Sequence, residues 1–161
     1  MPTMGKPVAA SATEMTELVL PNDSNMLGNI LGGRVMHLID LAGAICAARH
    51  TGRVAVTASI DSVDFRHPIR VGQVIHLRAH LNWVGQSSME VEVAVFCDDL
   101  LAGTRIQTST AYLTFVALDE SGHPAPVPPL LLETEDEHRR FTEALARREE
   151  RLRRRETARS S

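Results

Sequence analysis

In the stretch GNILGGRVMHLIDLAGAICAARH, residues 28–50, one carboxylate stands out: Asp40, between Ile39 and Leu41 in an otherwise apolar helical pattern. An unpaired carboxylate buried in such surroundings is costly, so the position needs a reason. Two are open. Arg34, His37 and Asp40 recur every three residues and share one helix face, which makes Asp40 part of a water-facing polar stripe. Alternatively Asp40 does chemistry: an ionised carboxylate can take a proton from water or attack an electrophilic carbon directly. Upstream, Asn25 is either a turn residue or a side-chain amide donor aimed at a developing oxyanion, a role worth roughly 3 to 4 kcal/mol. Gly32 and Gly33 precede the helix, where missing side chains serve close packing or open a path to free backbone N–H groups at its N-terminus.

The bulk numbers bound the possibilities. A chain of 161 residues with 43% hydrophobic and 23% charged residues is an ordinary globular domain with tails. A net charge of −3 exerts no global pull on nucleic acid, and 4% aromatics leave little for a base-stacking platform. An anionic ligand must therefore meet a local cluster of cations or N–H groups. Cys46 and Cys97 have no CxxC spacing and read as buried free thiols of a reducing compartment. His50, His67, His76 and His80 lack ligand spacing with acids or cysteines, so neither a metal nor a cofactor is expected. The first residues, MPTMGKPVAASATEM, carry no long apolar stretch, and no run reaches the roughly 20 residues of a membrane span. The chain reads as a soluble, cytoplasmic protein.

The elements that must position these groups follow from periodicity. Residues 1–14 read as a flexible leader, residues 15–132 as the folded domain, and 133–161 as a charged C-terminal helix and tail. Within the domain, residues 16–20 form a short strand and residues 33–50 the long helix. A β-branched strand spans 54–65. Ile75, Leu77, Ala79, Leu81 and Trp83 alternate with polar residues, as do Met89, Val91, Val93, Val95 and Cys97, and VGQSS joins the two strands as a hairpin. Residues 105–118 form the last long strand. The tail helix has a thin apolar stripe of Phe141, Leu145 and Leu152, and Arg153–Arg155 reads as a solvated face. The long helix is apolar around most of its circumference and must be buried nearly all round. An α+β domain whose curved antiparallel sheet wraps one long central helix does that without a second helical layer. That architecture is the hotdog fold.

The segment LPNDSNMLGNILGGRVMHLIDLAGAICA, with Pro21, Asn25, Gly28, Gly32, Gly33, Met36, Asp40 and Gly43, resembles the acyl-CoA thioesterases of the hotdog superfamily. DSVDFRHPIRVGQ and VGQSSMEVEV sit where that family has its Phe-x-x-Pro-x-x-x-Gly and Val-Gly-x-Ser-Ser segments, so the likeness covers residues 15–118. One position departs: some relatives carry a basic residue in the hairpin where this chain has Gln86. The resemblance implies hydrolysis of acyl-CoA to free coenzyme A and a carboxylic acid. It makes Asp40 the general base or nucleophile, and places Asn25 with the backbone at Gly32 and Gly33 on the thioester carbonyl. Coenzyme A would be held by Arg66, His67 and Arg70 on one loop and by Gly85, Ser87 and Ser88 on the hairpin. It also implies a homodimer, or a trimer of dimers, in which the Asn and the Asp at one thioester come from opposite protomers. Two alternatives stand beside it: a hotdog hydratase or dehydratase acting on acyl thioesters, and a non-catalytic acyl-CoA-binding module.

Overall fold

In the computed structural model residues 4–61 and 63–160 are described. The chain runs β1 (Lys6–Pro7), a 3-10 turn (Val8–Ala10), β2 (Thr13–Leu18), a second 3-10 turn (Pro21–Asp23) and α1 (Gly32–Thr51). There follow β3 (Val54–Ile60), β4 (Val74–Val84), β5 (Ser88–Asp99), β6 (Thr104–Leu118), β7 (Leu130–Leu131) and α2 (Glu135–Ser160). Strands β2-β4-β5-β6-β3 form one antiparallel sheet in that order.

The alternating strands give the sheet one apolar face, and α1 lies on it. Leu77, Val91, Val93, Leu113 and Phe115 meet Leu38, Ile39, Ala42 and Cys46 with no solvent exposure on any of them. Full burial of each large side chain contributes about 1.5 to 3 kcal/mol. Gly43 lets the helix settle here: a Cβ at that position would lie 2.9 Å from the Phe115 ring. The helix stops at Gly52, whose φ of +67° is the left-handed conformation of a C-terminal cap, with its N–H on the Ala48 carbonyl. This is the expected hotdog arrangement.

Five details differ from the sequence reading. Within the supposed leader, Lys6–Pro7 pairs with Leu130–Leu131, and Thr13 already belongs to β2; residues 1–3, like Ser62 and Ser161, lie outside the described residues. The strand expected over 54–65 ends at Ile60, beyond which the chain leaves its pairing with β6. Trp83 does not share a face with Leu81. A β-bulge after Leu81 sets Trp83 opposite Glu90, turning the indole to the outer face of the sheet.

The fourth difference is a second helical layer. Helix α2 is not a free charged tail; it packs on the sheet's outer face through Ala144, Arg147 and Arg151, while Leu145 and Leu152 of the apolar stripe stay 36% and 40% exposed. Nor is α1 buried all round. Leu41 and Ile45, on the side away from the sheet, remain 39% and 38% exposed, because one sheet covers only one face of a helix. Edge strand β3 likewise leaves Val54 68% and Val56 43% exposed.

Candidate active site

Asp40 is half-buried on the flank of α1 that faces β3. The pairing of Thr57 with Phe115 turns the Thr57 side chain toward the helix, and its Oγ1 donates to Asp40 Oδ1 at 2.6 Å. The carboxylate is thus oriented by a hydroxyl, not by its helix neighbours. Arg34 is engaged elsewhere, with Glu17 at 2.7 Å and Asp23 at 3.5 Å, so the supposed polar stripe is not an ion-pair network around Asp40.

Asn25 sits in the loop before α1, and both of its readings have a structural counterpart. Its Oδ1 accepts the backbone N–H groups of Leu27 and Asn29 at 2.9 and 3.1 Å, which is the turn role. Those two donors fix the amide orientation and leave Nδ2 as the outward-facing donor. The loop is held in place by Ile30 N–H on the Ile69 carbonyl and Val71 N–H on the Gly28 carbonyl. Helix α1 then begins after Leu31 with no side-chain cap. The first bonds are made by the N–H groups of Arg34 and Val35 to Leu31, so those of Gly32 and Gly33 find no acceptor among the described residues. Two orphan donors at the positive end of a helix dipole form a ready oxyanion binder.

Asn25, Gly32 and His67 line one cleft of about 270 Å³, together with Phe65 and Ile69. Arg66 lies in an adjoining cleft beside Asp64 and Gln107. Arg70 is exposed, its backbone N–H on Gln73 Oε1 at 2.8 Å. The other coenzyme A candidates are far away. Gly85 and Ser88 close the hairpin through the Gly85 N–H and Ser88 carbonyl, and the Ser87 carbonyl accepts the Ala117 N–H. That turn lies at the opposite end of β4, roughly 35 Å away along the strand. Asp40 is separated from the Asn25 cleft as well. It comes eight residues after Gly32, about 12 Å along the helix axis, and is absent from the cleft lining. The structure therefore brings the candidates together in two separate places: Asn25, Gly32 and His67 along one cleft, with Gly33 next in the chain, and Asp40 with Thr57 further along the helix.

Thr57 is the residue the sequence reading missed. The run VAVTASI carries two hydroxyls, Thr57 and Ser59, and which of them faces the helix depends on pairing with β6. Among the described residues no group of three His, Cys, Asp or Glu side chains is arranged to hold a metal ion. No helix is long and apolar enough to cross a membrane.

Comparison with known proteins identifies the family. Residues 27–103 match the thioesterase superfamily. The acyl-CoA thioester hydrolase YkhA of Bacillus subtilis is 46% identical over 136 residues, covering 84% of this chain and 79% of that one. A hexameric acyl-CoA thioesterase solved in its apo form superposes with a TM-score of 0.90 at 46% identity, covering 94% of this chain and 97% of its own. The acyl-CoA hydrolase of Staphylococcus aureus, solved with butyryl coenzyme A and coenzyme A, gives 0.88 at 37% identity, covering 96% and 94%. That enzyme has also been solved with an Asn, an Asp and a Thr each replaced by Ala, and the three have the order and spacing of Asn25, Asp40 and Thr57. Agreement in sequence, fold and length places the chain in the thioesterase superfamily, among the acyl-CoA hydrolases.

Proposed function

We propose that this acyl-CoA hydrolase works at sites shared between two copies of the chain, Asn25 and the N-terminus of α1 coming from one and Asp40 with Thr57 from the other. The observation that carries the reading is the separation inside one chain, where Asp40 lies about 12 Å beyond the helix end that the Asn25 cleft surrounds. The exposed flank of α1 at Leu41 and Ile45 and the open edge of β3 give a second copy an apolar surface and an unpaired strand to meet. A homodimer, assembled further into a trimer of dimers, fits the hexameric state of the similar thioesterase.

The chemistry follows from the groups. The thioester carbonyl accepts Asn25 Nδ2 and the free N–H groups of Gly32 and Gly33, which bind the oxyanion more tightly than the ground-state oxygen. Asp40, oriented by Thr57, takes the proton from an attacking water or attacks the carbonyl itself. The C–S bond then breaks and coenzyme A leaves as its thiolate; on the direct route water opens the resulting Asp40–acyl anhydride to release the carboxylic acid, and neither route requires a cofactor. The loop holding Arg66, His67 and Arg70 and the hairpin of Gly85, Ser87 and Ser88 contact one coenzyme A only if different subunits supply them. Two buried free thiols, Cys46 and Cys97, suit a cytoplasmic setting.

Mixed dimers test the arrangement. Asn25→Ala and Asp40→Ala homodimers are each expected to lose turnover by on the order of 10²-fold or more. When the two are co-expressed, random assortment makes half the dimers mixed, each with one intact site of two. About a quarter of wild-type activity should return. Verified mixed dimers as inactive as their parents would mean that both residues act from one chain.

A further inference from the structure

Helix α2 ends in a concentration of charge that the reaction described above does not use. Residues 147–159 hold seven arginines against three glutamates, in a chain whose net charge is −3. Arg147 and Arg151 are paired with carboxylates, Arg147 with Glu90 at 2.6 Å and Arg151 with Asp61 at 3.4 Å. Arg148 and Arg155 are not. Among the described residues neither meets a carboxylate; Arg148 lies over the Trp83 ring at 5.2 Å. Both line a cleft of about 160 Å³ that they share with Ser59 of β3 and Ser88 of the hairpin. Neither serine hydroxyl has a hydrogen-bond partner among the described residues, so two unpaired guanidinium groups and two free hydroxyls converge on one small concavity. Such a donor set suits a phosphate.

Its place in the fold connects it to the site. Ala58 and Ser59 follow Thr57 directly, and the bulge between Thr57 and Ser59 sends them to the outer face while Thr57 points inward at Asp40. The cleft therefore lies behind the carboxylate, on the outer face at the hairpin end of the sheet. The loop arginines are less well placed: Arg66 shares its cleft with Asp64. We infer that Arg148 and Arg155, with Ser59 and Ser88, bind a phosphate group of coenzyme A, so that α2 supplies part of the substrate-binding surface. This rests on the acyl-CoA reading of the site.

The experiment compares wild type with Arg148→Gln/Arg155→Gln in two assays. Calorimetric titration with coenzyme A at low salt should show affinity falling about tenfold or more in the variant, the loss shrinking as salt is added. In hydrolysis, the ratio of kcat/KM for an acyl-CoA to that for the same acyl group on phosphate-free pantetheine should fall by a similar factor, through KM. Unchanged affinity for coenzyme A at low salt overturns the inference, and so does an equal loss on both thioesters, which marks a structural role. Inorganic phosphate binding to this cleft in protein already saturated with coenzyme A would assign it to a free anion and also overturn it. If wild type hydrolyses neither thioester while the titration shows the expected loss, the catalytic reading fails and the phosphate cleft stands.

Discussion

The two faces of the sheet hold their helices by different physics. On the inner face α1 is held by close-packed aliphatic and aromatic side chains, with His50 the one fully buried histidine on the helix. On the outer face α2 is held by charge. Glu90 has no solvent exposure, accepts from Arg147 Nη2 at 2.6 Å and from Asn82 Nδ2 at 3.1 Å, and Arg147 stacks on Tyr112 at 3.8 Å. Nearby, burial pushes the Glu92 carboxyl up, but the His80 and Asn82 side chains outweigh it and hold it below the usual range. An apolar contact favours burial with little say over register, whereas a buried ion pair is intolerant of error in position. The outer face thus fixes α2 in one setting, and the arginines one turn further on are carried with it.

The largest expected effect breaks that outer pairing. Glu90→Ala leaves Arg147 without its carboxylate in a largely buried site, and should destabilise the fold by about 3 kcal/mol. The drop is read as a lower urea midpoint. Replacing both partners with apolar side chains, Glu90→Leu with Arg147→Met, should recover most of it, since the desolvation cost leaves along with the attraction. A Glu90→Ala midpoint within error of wild type would show that α2 is held by something other than this ion pair.

A smaller effect is expected at the border of the inner face. Thr57→Val keeps the β-branched shape and removes only the hydroxyl that orients Asp40. Turnover should fall about tenfold, or about 1.4 kcal/mol of transition-state stabilisation, with KM little changed. Thr57→Ser should restore most of the rate. Wild-type turnover in Thr57→Val together with a loss in Thr57→Ser would make the methyl group, not the hydroxyl, the part that matters.

The same contrast explains what could be read from the sequence. Alternation in β4 and β5 and the apolar period of α1 are local signals, and they locate the core and Asp40 correctly. The outer face is not legible in the sequence because its contacts are made by Ala144 and by the arms of Arg147 and Arg151, which look solvent-facing in a charged helix. Strict alternation puts Trp83 on one face with Leu81 because it has no means of showing a bulge. Thr57 was invisible for a related reason: its partner is 17 residues away, and its face is set by pairing with β6. Asn25 carried no local signal beyond that of a turn residue, and its assignment came through family resemblance.

The smallest effect concerns His50, the imidazole that the inner face encloses. Its Nε2 hydrogen bonds the Pro128 carbonyl at 2.8 Å, and its Nδ1 is buried with no partner among the described residues. Protonation would add an unpaired N–H and a charge where neither is solvated. Burial accordingly pushes the imidazole below its ordinary range, the nearby Lys6 charge adding to the shift and the Pro128 bond opposing it. In the unfolded chain the ring takes a proton near pH 6.5. Below that pH the unfolded state binds more protons than the folded one, so stability is full above about pH 6.5 and declines as pH falls toward the lowered folded value. His50→Gln keeps an N–H for Pro128 and cannot be protonated. It should be less stable than wild type at pH 7.5, with the gap narrowing steadily toward pH 5 when both are unfolded in urea at each pH. A gap that stays constant across that range would assign the acid sensitivity to the outer-face pairs instead of to the one buried imidazole under α1.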